Sequence, residues 1–124
     1  MNKICTSIEQ SQKLIELEID VNTADMYYPY SDRVCIGKYA LPVEWKIGLP
    51  LLSQEIPAWS LAALLKYLSE IKPQVYTSIL FPSEGKWILQ FAEYGHGNVC
   101  EVSCDNPVDA CVEMITKLHE LKLL

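Results

Sequence analysis

The chain has 124 residues, half of them apolar and 21% charged, with a formal net charge of −6. This length and composition suit one globular domain and exclude a disordered acidic tail. The charge argues against binding a nucleic-acid backbone or an anionic membrane surface, and no apolar run approaches the roughly 20 residues that cross a bilayer.

The opening residues 1–12 carry one lysine and no apolar stretch of the kind a secretory signal requires. Five cysteines form an odd set without a compact framework, which suits reduced thiols. Together these features predict a cytoplasmic protein.

Thr6 with Glu9, and Ser7 with Gln10, both fit a capping box at the start of a first helix. Ile8, Ser11, Leu14, Ile15 and Leu17 give that helix a broad apolar face, and Asp20 and Asn22 mark its end. The stretch Asn22-Thr23-Ala24-Asp25 suits one further capped turn. Residues 26–56 show little periodicity. Met26-Tyr27-Tyr28-Pro29-Tyr30 and Arg33-Val34-Cys35-Ile36 have strand composition, with Pro29 restricting the first to an edge or a turn. Pro42, Gly48 and Pro50 then interrupt any longer element.

A second helix is predicted with Pro57 at its first position, where a missing amide costs nothing. Leu61, Leu64, Leu65, Leu68 and Ile71 form its stripe, and Lys72-Pro73 stops it. Two strands, 75–81 and 86–94, are joined by Pro82-Ser83-Glu84-Gly85 as a hairpin. Trp87, Leu89 and Phe91 share one face of the second strand, while Ile88, Gln90, Ala92 and Tyr94 share the other. A third strand is expected over 98–104, after Gly95-His96-Gly97. The last helix has Asn106 as cap, Pro107 first and Asp109 in its first turn, with Val108, Cys111, Val112, Ile115 and Leu118 as core stripe. Segregated helices and strands predict a single-domain α+β fold, with an antiparallel sheet of three to four strands packed on three helices.

His96, Cys100 and Cys104, with Cys35, Cys111 and His119 elsewhere, are residue types that bind zinc. On a strand, however, Cys100 and Cys104 stand about 13 Å apart. They share a face with Val102, which reads as buried core, and Cys111 belongs to a core stripe. A Cys–His nucleophilic pair lacks any activating context: His96 sits between two glycines and His119 near a helix end. No phosphate-binding loop, G-x-S-x-G or H-E-x-x-H motif is present.

The aromatic residues Tyr27, Tyr28, Tyr30, Tyr39 and Trp45 admit two readings: cover for the second helix, or anchors at a protein interface. Residues 1–31 and 98–124 each hold five carboxylates against two lysines, while the middle of the chain balances. The acid therefore gathers on the outer faces of the first and last helices.

The motifs Asn22-Thr23-Ala24-Asp25-Met26-Tyr27-Tyr28, Ile56-Pro57-Ala58-Trp59-Ser60-Leu61-Ala62-Ala63-Leu64-Leu65 and Asn106-Pro107-Val108-Asp109-Ala110-Cys111-Val112-Glu113-Met114-Ile115 resemble a group of uncharacterised small proteins of gut anaerobes and their phages or mobile elements. More distantly, the tryptophan-containing strand before a proline-initiated last helix is similar to the phage ninX type of small protein. The resemblance implies an accessory protein of bacterial or phage origin, and it brings no activity, so no residue role is carried over.

The expectation is a small non-enzymatic accessory or adaptor protein that binds another protein, with Tyr27, Tyr28, Tyr30 and Trp45 as anchors. It calls for no cofactor or metal and allows a homo-oligomer. Two alternatives stand beside it. One is a small-molecule or metal-dependent activity using His96 and a cysteine, and the other is an acidic decoy for a nucleic-acid-binding protein.

Overall fold

The computed structural model describes residues 3–31, 38–39, 41–44, 51 and 55–124. The first helix, α1 (Ile8–Glu16), is launched by Ser7. Its hydroxyl accepts the Gln10 N–H at 3.1 Å, and Gln10 Oε1 accepts the Ser7 N–H at 3.0 Å, so the Ser7–Gln10 box is the one that forms. Thr6 is drawn into the interior instead. The helix is shorter than its apolar pattern, because the chain reverses at Glu18 (φ 63°). Asp20, rather than Asn22, then caps a single 3-10 turn over Val21–Thr23.

Five short strands follow: β1 (Met26–Tyr28), β2 (Tyr30–Ser31), β3 (Lys38–Tyr39), β4 (Val43–Glu44) and β5 (Ile56–Ala58). β1 is the centre of an antiparallel sheet ordered β4-β1-β5, and β2 pairs with β3. Pro29 therefore does not confine the aromatic strand to an edge. It falls in the break between β1 and β2, outside either strand, so Met26 and Tyr27 pair with β4 on one side and Met26, Tyr27 and Tyr28 pair with β5 on the other. Arg33–Ile36 lies outside the described residues.

Pro57 is a second correction. It sits inside β5, buried and opposite Tyr27, and does not open a helix. The helix α2 (Leu61–Ser69) is launched by Ser60, whose hydroxyl accepts the Ala63 N–H at 3.2 Å. A cap hydroxyl fills an orphan amide, whereas a proline only removes one, so Ser60 carries the stronger signal. Leu64 and Leu68 are buried as the stripe predicts. The helix ends before Ile71, and Lys72 takes a left-handed conformation at φ 40°.

The second sheet is a meander of β6 (Tyr76–Ser83), β7 (Lys86–Glu93) and β8 (Gly97–Cys104) with β7 central. The β6–β7 turn is two residues long, Glu84 and Gly85, at φ 51° and 78°. That left-handed pair matches the twist of the strands, and glycine accepts it without steric cost. Alternation sends Leu80, Leu89, Phe91, Cys100 and Val102 inward, and Tyr76 packs against Phe91 with ring centroids 5.0 Å apart.

The last helix, α3 (Pro107–Glu120), starts at Asn106 as its cap predicts. Val108, Cys111, Val112, Ile115 and Leu118 are buried, and so are Ala110 and Met114. The buried arc exceeds one stripe because α3 touches β7 and β8 on one side and α2 and α1 on the other. It is the centre of the core. The fold is α+β: among the described residues, three helices and two three-stranded antiparallel sheets in one domain, with the two-stranded β2–β3 pair. No described helix is long and apolar enough to cross a membrane.

Asp109, in the first turn of α3, joins three parts of the chain. Its carboxylate accepts from Lys3 Nζ, Gln10 Nε2 and Asn106 Nδ2, each at 2.7 Å. Burial pushes its pKa up. The hydrogen bonds from Lys3, Gln10 and Asn106 and the lysine charge outweigh that, so the pKa is lowered from its ordinary 3.8. A carboxylate with a depressed folded pKa stabilises the fold above its unfolded pKa and loses that contribution as pH falls through the folded value. Asp109→Asn is therefore expected to cost roughly 1 kcal/mol at neutral pH. The difference should close as both proteins are taken below pH 3.8. Urea midpoints of the two proteins across this range check it, and parallel curves would refute it.

Candidate functional site

The N-terminal segment is stitched to the residues before α2. Cys5 bridges Ser60, and the Thr6 N–H donates to the Trp59 carbonyl at 2.9 Å. Tyr28 closes this seam from β1: its hydroxyl donates to the Thr6 carbonyl at 2.7 Å and lies 3.7 Å from Cys5 Sγ. Burial raises the pKa of both groups, so phenol and thiol stay protonated at neutral pH. The polar end of Tyr28 is thus committed inside the molecule.

Tyr27, one residue earlier, projects to the opposite face of β1. It is half-buried, with Pro57 on one side and Val43 of β4 on the other. Val43 is 41% exposed, and Leu41, two residues before it, is 85% exposed. Tyr27, Leu41 and Val43 therefore present an aromatic and two aliphatic side chains where β4 edges the small sheet. The backbone of Tyr30 pairs with that of Tyr39 across β2–β3. Trp45 lies outside the described residues. Of the four aromatic candidates, the structure brings Tyr27 and Tyr28 to opposite faces of one strand rather than to one surface. Leu41 and Val43 carried no aromatic or periodic mark in the sequence. The strand pairing adds Val43 to Tyr27, and Leu41 enters by its exposure just before β4.

The thiols and imidazoles are dispersed. His96 is exposed in the β7–β8 turn, Cys100 and Cys104 are half-buried on the inner face of β8, and Cys111 is fully buried in α3. Burial, a hydrogen bond to Glu113 at 3.0 Å and that carboxylate's charge push the Cys104 thiol up to about 12. Burial and the nearby Cys104 push Cys111 up to about 12 as well. Thiols held protonated in this way are poor nucleophiles and poor metal ligands at neutral pH. Among the described residues, no three His, Cys, Asp or Glu side chains are grouped so as to hold a metal. Cys35 lies outside the described residues.

One further concavity, a groove of about 360 Å³, separates residues 22–25 from α2, with Lys66, Tyr67 and Glu70 on its helical wall. The Asp25 carboxylate on the facing wall accepts from both the backbone N–H (2.8 Å) and the hydroxyl of Ser60, which holds it to the start of α2. Burial and the charge of Asp20 raise the Tyr67 pKa, leaving it a neutral hydrogen-bonding group.

The outer face of the second sheet, turned away from α3, carries Thr77, Ile79, Phe81, Ile88, Gln90 and Ala92. Ile79 is 50% exposed, and Gln90 Nε2 donates to Glu101 Oε1 at 2.6 Å across β7–β8. An antiparallel sheet commonly leaves one face to water, but that face is then polar. Here Ile79, Phe81, Ile88 and Ala92 are not. Comparison with family models, with curated proteins and with solved structures finds no match to this chain.

Proposed function

We propose that this chain is a small non-enzymatic accessory or adaptor protein that acts by binding another protein. The observation that carries this reading is the exposed apolar corner at the edge of the β4-β1-β5 sheet, where Tyr27 pairs with Val43, 41% exposed, and Leu41, just before β4, is 85% exposed. A leucine left almost wholly in water is by itself ordinary. A half-exposed valine paired with a tyrosine, with an exposed leucine two residues before it in the chain, has the composition that interface centres favour. Tyr27 supplies rigid contact area with few rotors to freeze. Tyr28 serves from behind by tying β1 to the N-terminal segment through Thr6. The motif resemblance to small proteins of bacteria and their phages supports the same accessory class.

The test is affinity capture from the source cell's lysate with the intact chain, Tyr27→Ala and Leu41→Asp, with far-UV circular dichroism to verify folding. A specific protein retained by the intact chain should be held at least about tenfold more weakly by each variant, since an interface anchor contributes more than 1 kcal/mol. Undiminished capture by a folded Leu41→Asp protein would overturn the reading. So would unfolding of Tyr27→Ala, which would make that side chain core rather than contact.

A further inference from the structure

Among the described residues, the sheet ordered β6-β7-β8 has no strand beyond β6 or beyond β8, and these two edges are unlike. Natural proteins blunt an edge with charge, proline or a bulge, because its unpaired backbone groups are a template for another strand. β8 carries Glu101 and an irregular register opposite Phe91 and Ala92. β6 has no charged residue from Tyr76 to Ser83, and Pro82 blunts only its last turnward step. It is the barer edge.

The register fixes which groups of β6 point outward. Ser83 and Lys86 flank a two-residue turn and so form a hydrogen-bonded pair. Counting back, Phe81, Ile79 and Thr77 bond to β7, while Pro82, Leu80, Ser78 and Tyr76 turn their backbone groups away from it. The Tyr94 N–H to Val75 carbonyl bond, 2.9 Å, falls where this alternation requires. Pro82 has no N–H to offer, and the Tyr76 N–H is taken by the Lys72 carbonyl at 3.0 Å. Ser78 and Leu80 remain, each with an outward N–H and C=O that find no partner among the described residues.

We infer that β6 is a self-pairing edge, joining β6 of a second copy antiparallel across a two-fold axis at Ile79. Ser78 then faces Leu80 of the other copy, and the two donors and two acceptors on each side close four hydrogen bonds. Pro82 falls opposite Tyr76, the one pair in which neither N–H is available. The two half-exposed Ile79 side chains meet at the axis on the apolar outer face, next to Phe81. Charge agrees with this arrangement. The strand carries no charge of its own, and each end is balanced, Glu70 with Lys72 and Glu84 with Lys86, so antiparallel pairing sets no like charges against each other along β6. Elsewhere each copy carries net negative charge and repels its twin, which leaves the uncharged edge as the place of least resistance. Four bonds and one apolar contact make a small interface, so the association is concentration-dependent. It is independent of the partner-binding patch, which belongs to the other sheet.

Sedimentation velocity of the intact chain over a concentration series should pass from a monomer to a dimer. Ser78→Pro removes two of the intermolecular donors while sparing the bonds to β7, and Ile79→Lys sets two like charges face to face. Each should weaken dimerisation about tenfold or more. In the unmodified protein, amide exchange at Ser78 and Leu80 should slow as concentration rises. A monomer at every concentration would overturn the inference, and so would a dimer whose Ser78 and Leu80 amides exchange at the monomer's rate. A dimer that survives both substitutions in folded protein would place the interface elsewhere.

Discussion

Trp59→Ala is expected to destabilise the domain by about 3–5 kcal/mol, the range for deleting a large aromatic side chain from a packed core. Trp59 is fully buried and is the largest wholly enclosed side chain among the described residues. It stands between the N-terminal segment and α2, and its indole N–H donates to the Thr23 hydroxyl at 2.9 Å. The loss therefore combines a cavity with a vacated hydrogen bond. The surroundings have little means of closing the hole, since Leu14, Leu64 and Leu68 around the same core are themselves enclosed. A loss of this size is a large part of the roughly 5–15 kcal/mol that holds a natural domain folded. Trp59→Phe separates the two contributions. It keeps much of the volume, leaves the partly exposed Thr23 hydroxyl to water, and should cost about half as much or less. Urea unfolding followed by far-UV circular dichroism measures both. An Ala variant that loses less than about 1.5 kcal/mol would mean that the site can collapse or is loosely packed.

How much of this fold was legible in the sequence depended on how local each determinant is. α1, α3 and the β6–β7 hairpin were readable because their signals lie within a few residues. Ser7 and Gln10 cap each other, Asn106 caps the Asp109 amide, and Gly85 marks the hairpin. The expected turn Pro82-Ser83-Glu84-Gly85 is nevertheless too long: Pro82 and Ser83 stay paired in β6 and only Glu84-Gly85 turn. The core positions of α3 followed from its period, although Ala110 and Met114 did not. Their burial depends on packing against two layers at once. Residues 26–58 were opaque for the opposite reason. β1 has three residues, too few for any alternation to show, and its partners β4 and β5 arrive about 17 and 30 residues later. Pro57 shows the cost of reading a residue by one property. Its missing amide is tolerated at the start of a helix, and equally in a short strand where that amide is not called on. The candidate surfaces divide in the same way. Tyr27 and Tyr28 stand out by composition, while Leu41, Val43 and Ile79 become notable only through their exposure in the folded chain.

Thr6→Val should cost about 2–4 kcal/mol although it exchanges one β-branched side chain for another of nearly the same shape. Thr6 is fully buried, and its Oγ1 accepts the Trp59 backbone N–H at 3.0 Å and lies 2.8 Å from the Ser11 hydroxyl, which is also fully buried. Besides accepting from Trp59, the Thr6 hydroxyl shares a hydrogen bond with Ser11 Oγ in which either oxygen can be the donor. Valine removes the oxygen and strands a buried amide and a buried hydroxyl, each costing about 1–3 kcal/mol when left without a partner. Ser11→Ala is the milder change. It deletes the hydroxyl bonded to Thr6 but leaves the Trp59 amide satisfied, so about 1 kcal/mol is expected. The double variant should then be more stable than the sum of the two losses predicts, because alanine takes away the hydroxyl that valine would have orphaned. A double-mutant cycle in urea reads this coupling directly. Strict additivity would mean the two hydroxyls do not act on each other. A Thr6→Val cost below about 1 kcal/mol would mean that water, or a shift of the chain, reaches the Trp59 amide in place of the threonine. The geometry favours the larger loss. The Thr6 N–H is held by the Trp59 carbonyl and its own carbonyl by Tyr28, so the segment is clamped on both sides and cannot move aside without breaking those bonds as well.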